Sequence, residues 1–309
     1  MKNGNFTNAV MKRSVFSIAG NKNNKERPCI GSDCVAYDGA ERLVSSIASG
    51  EYAIYRAVTK VNAKGADAAS VTLSVRIPKS YEEGHVKECI RSLRKQCDCL
   101  GVDITGVEVC GDDRVTEPLI TAACTGFISS SYKPVIEPEQ NIAVVQPIGL
   151  EGARILGKAN KDRLCSYFTQ LFYEKAMGSE QDLNLTRVCK LCTDKNLFML
   201  PLGEGGIFAG LWNMAEYGKV GLSVDLKKIP VRQEIIEICE LLEKNIYELS
   251  SFGSLLMTFD DKCDIINFLK DFNVEFSIIG RTTPSNDKII YNDDEVRYLD
   301  TPKRDAIYN

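Results

Sequence analysis

Apolar and polar residues alternate through "SVTLSVRIP" (70–78), where Val71, Leu73, Val75 and Ile77 share one face and Pro78 closes the run. A period of two predicts a strand with one buried side. The period then lengthens. Val86, Cys89, Ile90, Leu93 and Cys97 recur at helical spacing, and Gly101 follows the last turn as a stop signal. Short strands are predicted at "VDITGVEV" (102–109) and "PLITAACTGF" (118–127). With a helix ahead of the first strand, the order helix, strand, helix, strand, strand makes one mixed α/β unit. "SYKPVIEPEQN" (131–141) carries two prolines and little period, and reads as a linker.

A second unit opens with the apolar strand 142–145 and the turn "QPIGLEG" (146–152). Leu164, Tyr167, Phe168, Leu171 and Phe172 then predict one helix with a single apolar face. "LGEGGIFAGLWNMAEYGKVG" (202–221) is a glycine-rich turn running into a helix, and Ile235, Ile236, Cys239 and Leu242 mark another after Pro230. "SLLMTF" (254–259), a helix through Ile265, Ile266 and Leu269, and "VEFSIIG" (274–280) give strand, helix, strand. "KIIYNDDEVRYL" (288–299) closes the chain as a hairpin turning at Asn292 to Asp294. The pattern predicts two α/β domains, 1–140 and 141–309.

Composition narrows the function. The net charge of -4 over 309 residues and the lack of a basic cluster exclude an electrostatic footprint for nucleic acid. No apolar run approaches the roughly 20 residues that span a bilayer, and the N-terminus lacks a continuous apolar signal segment. A cytoplasmic location is expected, with the 12 cysteines reduced and packed as small hydrophobes. Cys189 and Cys192 have metal-pair spacing but lack two further ligands nearby, so they read as packed thiols near a helix end. The single histidine, His85, argues against a Ser-His-Asp hydrolase.

Three glycine turns are the candidate chemistry: Gly31-Ser32-Asp33, the 147–152 turn, and Gly203-Glu204-Gly205-Gly206 before a helix. Backbone N–H groups at a helix N-terminus suit a phosphate, and the same geometry suits a plain tight turn. Neither a Walker-type lysine nor G-x-G-x-x-G order is present. Glu204 reads as a turn glutamate, Glu151 as a first-turn residue meeting the helix dipole, and Asp112-Asp113 as a polar turn between strands.

Taken in order, "GSDCVAYD", "PIGLEGARIL", "GEGGIFAGLWNMAE", "VGLSVDLKKIPV", "NIYELSSFGSLLM", "FSIIG" and "PKRDAIY" resemble the aminoimidazole-ribonucleotide-synthetase-like (AIR synthase-related) superfamily. The branch most resembled is that of the hydrogenase maturation factor HypE. The resemblance covers nearly the whole chain. It implies an α/β (α+β) two-domain fold, with the N-terminal domain forming a dimeric β-barrel and the C-terminal domain an α/β sandwich. It also implies a homodimer, or a heterodimer with a paralogue, and an ATP site near the dimer interface. There Mg²⁺ would be held by N-domain acids, here Asp33 beside Gly31, and the turn Gly203, Glu204, Gly205 and Gly206 would help close the site on a small-molecule substrate.

The departures from the family pattern bear on chemistry. Its second motif carries Asn-Asp ahead of Gly-Ala, and those positions fall on Thr59 and Lys60. A lysine cannot ligate Mg²⁺ but can neutralise a phosphate directly. Of the third motif Gly106 is kept, with Glu108 at the acidic or histidine position, while the His-Asp ahead of the glycine turn falls on Leu200 and Pro201. The HypE-like branch ends in a reactive cysteine. This chain ends "RDAIYN", and its last cysteine, Cys263, lies in a predicted helix. Two functions follow as alternatives. One is ATP-dependent activation or phosphorylation of a small molecule through Asp33, Glu108 or Asp112, and the Gly203–Gly206 turn. The other is a catalytically degenerate relative that binds a nucleotide or metabolite, or partners an active paralogue.

Overall fold

The computed structural model describes residues 8–10, 12, 36–38, 42–128 and 132–308. Gly31, Asp33 and Cys34 lie outside the described residues. Two sheets organise the chain, one from each domain.

The first sheet has five strands in the order β1-β2-β5-β3-β4: β1 (Ala36–Asp38), β2 (Arg42–Ser49), β3 (Asp67–Pro78), β4 (Asp103–Asp112) and β5 (Leu119–Phe127). Helix α1 (Ala53–Ala63) is the leading helix that the sequence left without bounds, and α2 (Glu83–Leu100) links the parallel pair β3 and β4. Both cover one face, burying Val71, Leu73, Val75 and Ile77 as the alternation requires. Gly101 ends α2 in the left-handed conformation with φ 69°. At the N-terminus of α2 His85 has a capping role, its Nδ1 accepting the Glu82 N–H at 3.2 Å.

The second sheet runs β12-β11-β8-β10-β6-β9-β7, with β6 (Asn141–Val145), β7 (Phe198–Pro201), β8 (Gly221–Asp225), β9 (Leu255–Phe259), β10 (Phe276–Thr283), β11 (Lys288–Asn292) and β12 (Glu295–Tyr298). Every residue of β6 and β9 is buried, because helices pack on both faces. In this domain α3 is Leu150–Ala159, α4 Lys161–Tyr167, α5 Gln170–Met177, α6 Thr186–Asp194, α7 Gly206–Gly218, α8 Gln233–Leu241 and α9 Ile265–Asp271. Helix α7 covers one face, burying Ile207, Leu211 and Met214, and α6 and α9 cover the other. No helix among the described residues is long and apolar enough to cross a membrane.

Two expectations are corrected. The single amphipathic helix over 164–172 is two helices. Phe168 is extended, and the Thr169 hydroxyl accepts the Phe172 N–H, which starts α5 afresh. Tyr167 and Leu171 are consequently 68% and 64% exposed, and of the five apolar residues only Leu164 is buried. Cys263 lies in the turn before α9, not in a helix.

The segment joining the sheets is fixed in place. Tyr132 is buried, its hydroxyl donates to the Leu197 carbonyl at 2.8 Å, and its ring packs where a side chain on Gly65 would otherwise stand. The Thr282 N–H donates to the Gln140 carbonyl at 2.9 Å, and the Gln140 N–H to the Thr282 hydroxyl at 2.9 Å. The apolar cluster under the first sheet continues without a break into Leu150, Ala153 and Ile235 of the second domain.

Candidate functional site

The turn that the sequence singled out is the centre of a buried polar cluster where the domains meet. Gly205 and Gly206 both adopt left-handed backbone, with φ of 79° and 62°. A Cβ on Gly206 would strike the Tyr247 carbonyl oxygen and stand 2.7 Å from that of Leu249, so glycine is required for backbone to approach backbone. Gly205 caps α7, and its N–H points out of the helix N-terminus.

A strap of small residues, Leu249 to Ser254, ties this turn to the one at 146–152. The Ser251 N–H donates to the Gly203 carbonyl at 3.1 Å, and the Ser251 hydroxyl accepts the Gly149 N–H at 3.0 Å. The Ser250 carbonyl accepts the Gly152 N–H at 2.9 Å, and the Ser254 hydroxyl donates to the Pro147 carbonyl at 2.6 Å. Ser250, Ser251 and Ser254 are fully buried, so each of these bonds replaces a desolvated, unpaired group.

Charge enters from the first domain. Arg56 of α1 grips the Glu151 carboxylate with two nitrogens, Nε at 2.8 Å, and the Ser250 hydroxyl donates to the same carboxylate at 2.7 Å. Glu151, in the first turn of α3, is only 1% exposed, which fits a carboxylate held bidentately. The Arg56 guanidinium also stands 5.8 Å from the Phe252 ring centroid. Desolvation pulls the Arg56 pKa down, while Glu151 and then Glu204 push it up, and the balance lies above the ordinary value.

The C-terminal segment completes the cluster. Asp305 is 3% exposed, its Oδ2 accepts the Gly205 N–H at 2.7 Å, and its Oδ1 accepts the Ile307 N–H at 2.9 Å. The Ser250 N–H also acts on this carboxylate, favouring its charged form. Burial lifts its pKa above the ordinary carboxylate value, assisted by Glu204 and opposed by the three N–H groups. Tyr308 follows, its pKa raised by burial first and then by Glu204 and Asp305, with Arg56 pulling the other way.

The other residues marked in the sequence fall elsewhere. Lys60 lies one helical turn beyond Arg56 on α1, and its Nζ reaches the Ile47 carbonyl at 3.4 Å. Thr59 beside it is buried. Gly106 and Glu108 are on the edge strand β4, paired across to Thr72 and Ser74, on the sheet face away from α1 and α2. Glu108 accepts from the Ser74 hydroxyl at 3.0 Å and pairs with Arg76 at 3.3 Å. Asp112 is taken by Arg114 at 2.7 Å, which holds its carboxyl well below the usual range. Leu200 and Pro201 end β7 ahead of the turn. Cys189 and Cys192 are buried in α6, and burial pushes the Cys192 thiol up to about 12. Arg56, Ser250, Ser251 and Asp305 were not singled out from sequence. The one local signal was the run of small residues in "SSFGS" ahead of a buried strand.

Comparison with known proteins now has a geometry to attach to. The family model for the AIR synthase related protein N-terminal domain matches residues 27–128, and that for the C-terminal domain matches 137–292. The chain belongs to the AIR synthase related family. Curated relatives include the phosphoribosylformylglycinamidine synthase subunit PurL of Pyrobaculum aerophilum, 24% identical over 202 residues, and that of Pyrobaculum calidifontis, 23% identical over 209. Each match covers 63% of this chain and 28% of the relative, so the chain spans little more than a quarter of either. Among solved structures, E. coli HypE, a hydrogenase maturation protein, superposes with a TM-score of 0.73 at 17% identity over 86% of this chain and 87% of that one. HypE in complex with ATP superposes with a TM-score of 0.72 at 13% identity over 99% and 98%. AaThiL complexed with AMPPCP and TMP superposes with a TM-score of 0.67 at 15% identity over 86% and 88%. These likenesses show the two-domain fold.

The family fold implies ATP and Mg²⁺. Among the described residues no group of three or more His, Cys, Asp or Glu is placed to hold a metal ion. Glu151 is committed to Arg56 and Ser250, and both oxygens of Asp305 to backbone N–H groups, so the acids described here do not fit Mg²⁺. An oxyanion does fit: the Gly205 N–H at the N-terminus of α7 already holds a carboxylate.

Proposed function

We propose that this chain is a nucleotide-binding member of the AIR synthase related family, in which the turn at Gly203, Glu204, Gly205 and Gly206 receives a phosphate of ATP, and a small molecule is activated or phosphorylated in the same cleft. The observation that carries the reading is the Gly205 N–H at the N-terminus of α7, which already holds the buried Asp305 carboxylate at 2.7 Å. Bound ATP would supply the transferable phosphoryl group. The chain's own part is to orient it: the serine strap fixes the glycine turns, and Arg56 neutralises the buried Glu151 beside them. That two solved structures of similar fold are complexes with ATP or AMPPCP supports the nucleotide assignment.

The domain limits 1–140 and 141–309 belong to the same proposal, as does a dimer built on the outer face of the first sheet. That face carries Leu43 and Phe127 opposite each other, Ile47 opposite Ala123, and Leu119 opposite Arg76. Ile47 is 63% exposed, more than a solitary β-sheet surface favours for a large aliphatic side chain. Gly106 and Glu108 lie on this face and Lys60 at its margin, so they would act only in a site shared with a second copy. Asp33 remains the proposed metal ligand.

A second reading is a degenerate relative, a nucleotide or metabolite binder or a partner of an active paralogue. It is favoured by Leu200 and Pro201, which put no titratable group ahead of the turn, and by Asp305, which fills the cradle. Calorimetric titration with ATP, with and without Mg²⁺, separates the two. Mg²⁺-dependent binding lost in Asp33→Ala, together with ATP turnover, selects the enzyme. Saturable binding without turnover selects the second reading. The absence of both heat and a thermal shift at millimolar ATP would refute nucleotide binding altogether.

A further inference from the structure

The tail residues 303–308 lie across the glycine turn, close enough that a Cβ on Gly205 would stand 3.7 Å from the Lys303 carbonyl oxygen. Asp305 reaches down from this segment and is buried to 3% exposure, although the segment's only regular structure is the short helical turn Ala306–Tyr308. One carboxylate oxygen crosses to the Gly205 N–H at the N-terminus of α7, and the other closes the tail's own turn on the Ile307 N–H. Helix α7 runs for 13 residues, so its positive end is fully developed.

We propose that this tail is a built-in competitor for the phosphate cradle: the Asp305 carboxylate holds the Gly205 N–H that a phosphate monoester or polyphosphate would take, so anion binding and tail docking exclude each other. The inference rests on the reading of the turn as a phosphate site and adds its regulation. A carboxylate brings one charge to the helix N-terminus, and a phosphate monoester brings two with more acceptor oxygens, so the phosphate is the stronger occupant. The tail is also easily released. Few of its side chains are deeply buried, chiefly Asp305 and Ala306, and the segment before it, from 300 to 305, contributes no strand or helix. Glu204 lies beside both Asp305 and Tyr308 and repels the carboxylate, which biases the docked state towards opening. The cradle is then open only for the fraction of time that the tail is away, and apparent affinity falls by that fraction.

Lys303 and Arg304 place trypsin sites at the base of the docked segment. In the full-length wild-type chain, inorganic tripolyphosphate and ATP should each accelerate tryptic cleavage after Arg304 several-fold, saturating at the concentration that saturates binding by calorimetry. Asp305→Ala should be cleaved at the accelerated rate without ligand and should bind tripolyphosphate about tenfold more tightly, the gain expected when a tail docked nine-tenths of the time is freed. Binding that leaves the cleavage rate unchanged or slows it, or Asp305→Ala binding no more tightly than wild type, would overturn the proposal. The wild-type proteolysis needs no variant to fold. Equal ATP affinity in the two proteins keeps the nucleotide reading and removes the tail's role. Tripolyphosphate binding improved in Asp305→Ala without any ATP binding keeps the tail's role and removes the nucleotide.

Discussion

Gly206 is the position where a single methyl group would disturb the most. Its left-handed backbone and the two carbonyl oxygens above it leave no room for a Cβ. Gly206→Ala should therefore cost about 2–4 kcal/mol, the sum of an unfavourable φ and a backbone displacement, measured by urea unfolding. Arg56 makes the complementary case. Its removal leaves Glu151 buried against Ser250 alone, so Arg56→Ala should lose about 3 kcal/mol by the same assay. A loss below about 1 kcal/mol would mean that water reaches Glu151 and that the pair is a surface one. These two residues also show what sequence conveys. Gly206 was legible because a glycine cluster ahead of an apolar helix has few explanations. Arg56 was not, because its partner is 95 positions away and nothing in "YRAVTK" foretells a carboxylate from another domain. The reading placed the phosphate-side cation at Lys60. Arg56, one turn earlier on the same helix, is a cation beside the glycine turn that the reading did not mark.

Among the elements, the strands and helices followed their periods wherever one face alone is buried, as in β3 and α2. The period misled at 164–172, where apolar residues continue in register across a break that Thr169 imposes by capping. The tail was legible only as a resemblance, since a six-residue segment has no period and its docking depends on long-range contacts. Its titration is testable. The folded pKa of Asp305 is raised above the ordinary 3.8, so the native state binds this proton more tightly than the unfolded chain does. Stability from this group is therefore gained as pH falls through the raised value and lost as pH rises through it. The groups around the tail are Glu204, Tyr308, Arg56 and Glu151, with Glu204 acting most directly on Asp305. The melting temperature of wild type relative to Asp305→Asn should climb as pH falls from neutral towards the ordinary carboxylate value of 3.8. A difference independent of pH would show that Asp305 keeps an ordinary pKa and is not buried as described.

Among the described residues, the first sheet is covered on one face and bare on the other, while both faces of the second are covered. The bare face pairs Leu43 with Phe127 and Ile47 with Ala123 and is the proposed dimer surface. Ile47→Asp should convert a dimer to a monomer in light scattering at micromolar concentration and leave the fold intact, since the side chain is solvent-facing in a single copy. A wild-type monomer would remove the shared-site role proposed for Gly106 and Glu108. The central claim, that the cradle at Gly205 and Ser250 receives a nucleotide phosphate, is tested most directly by amide resonances in the full-length chain labelled on glycine and serine. Titration with ATP should shift the Gly205 and Ser250 amides saturably, and by more than those of Gly106 or Gly111 on β4. Saturable ATP binding that leaves Gly205 and Ser250 unmoved would place the nucleotide elsewhere and contradict the account.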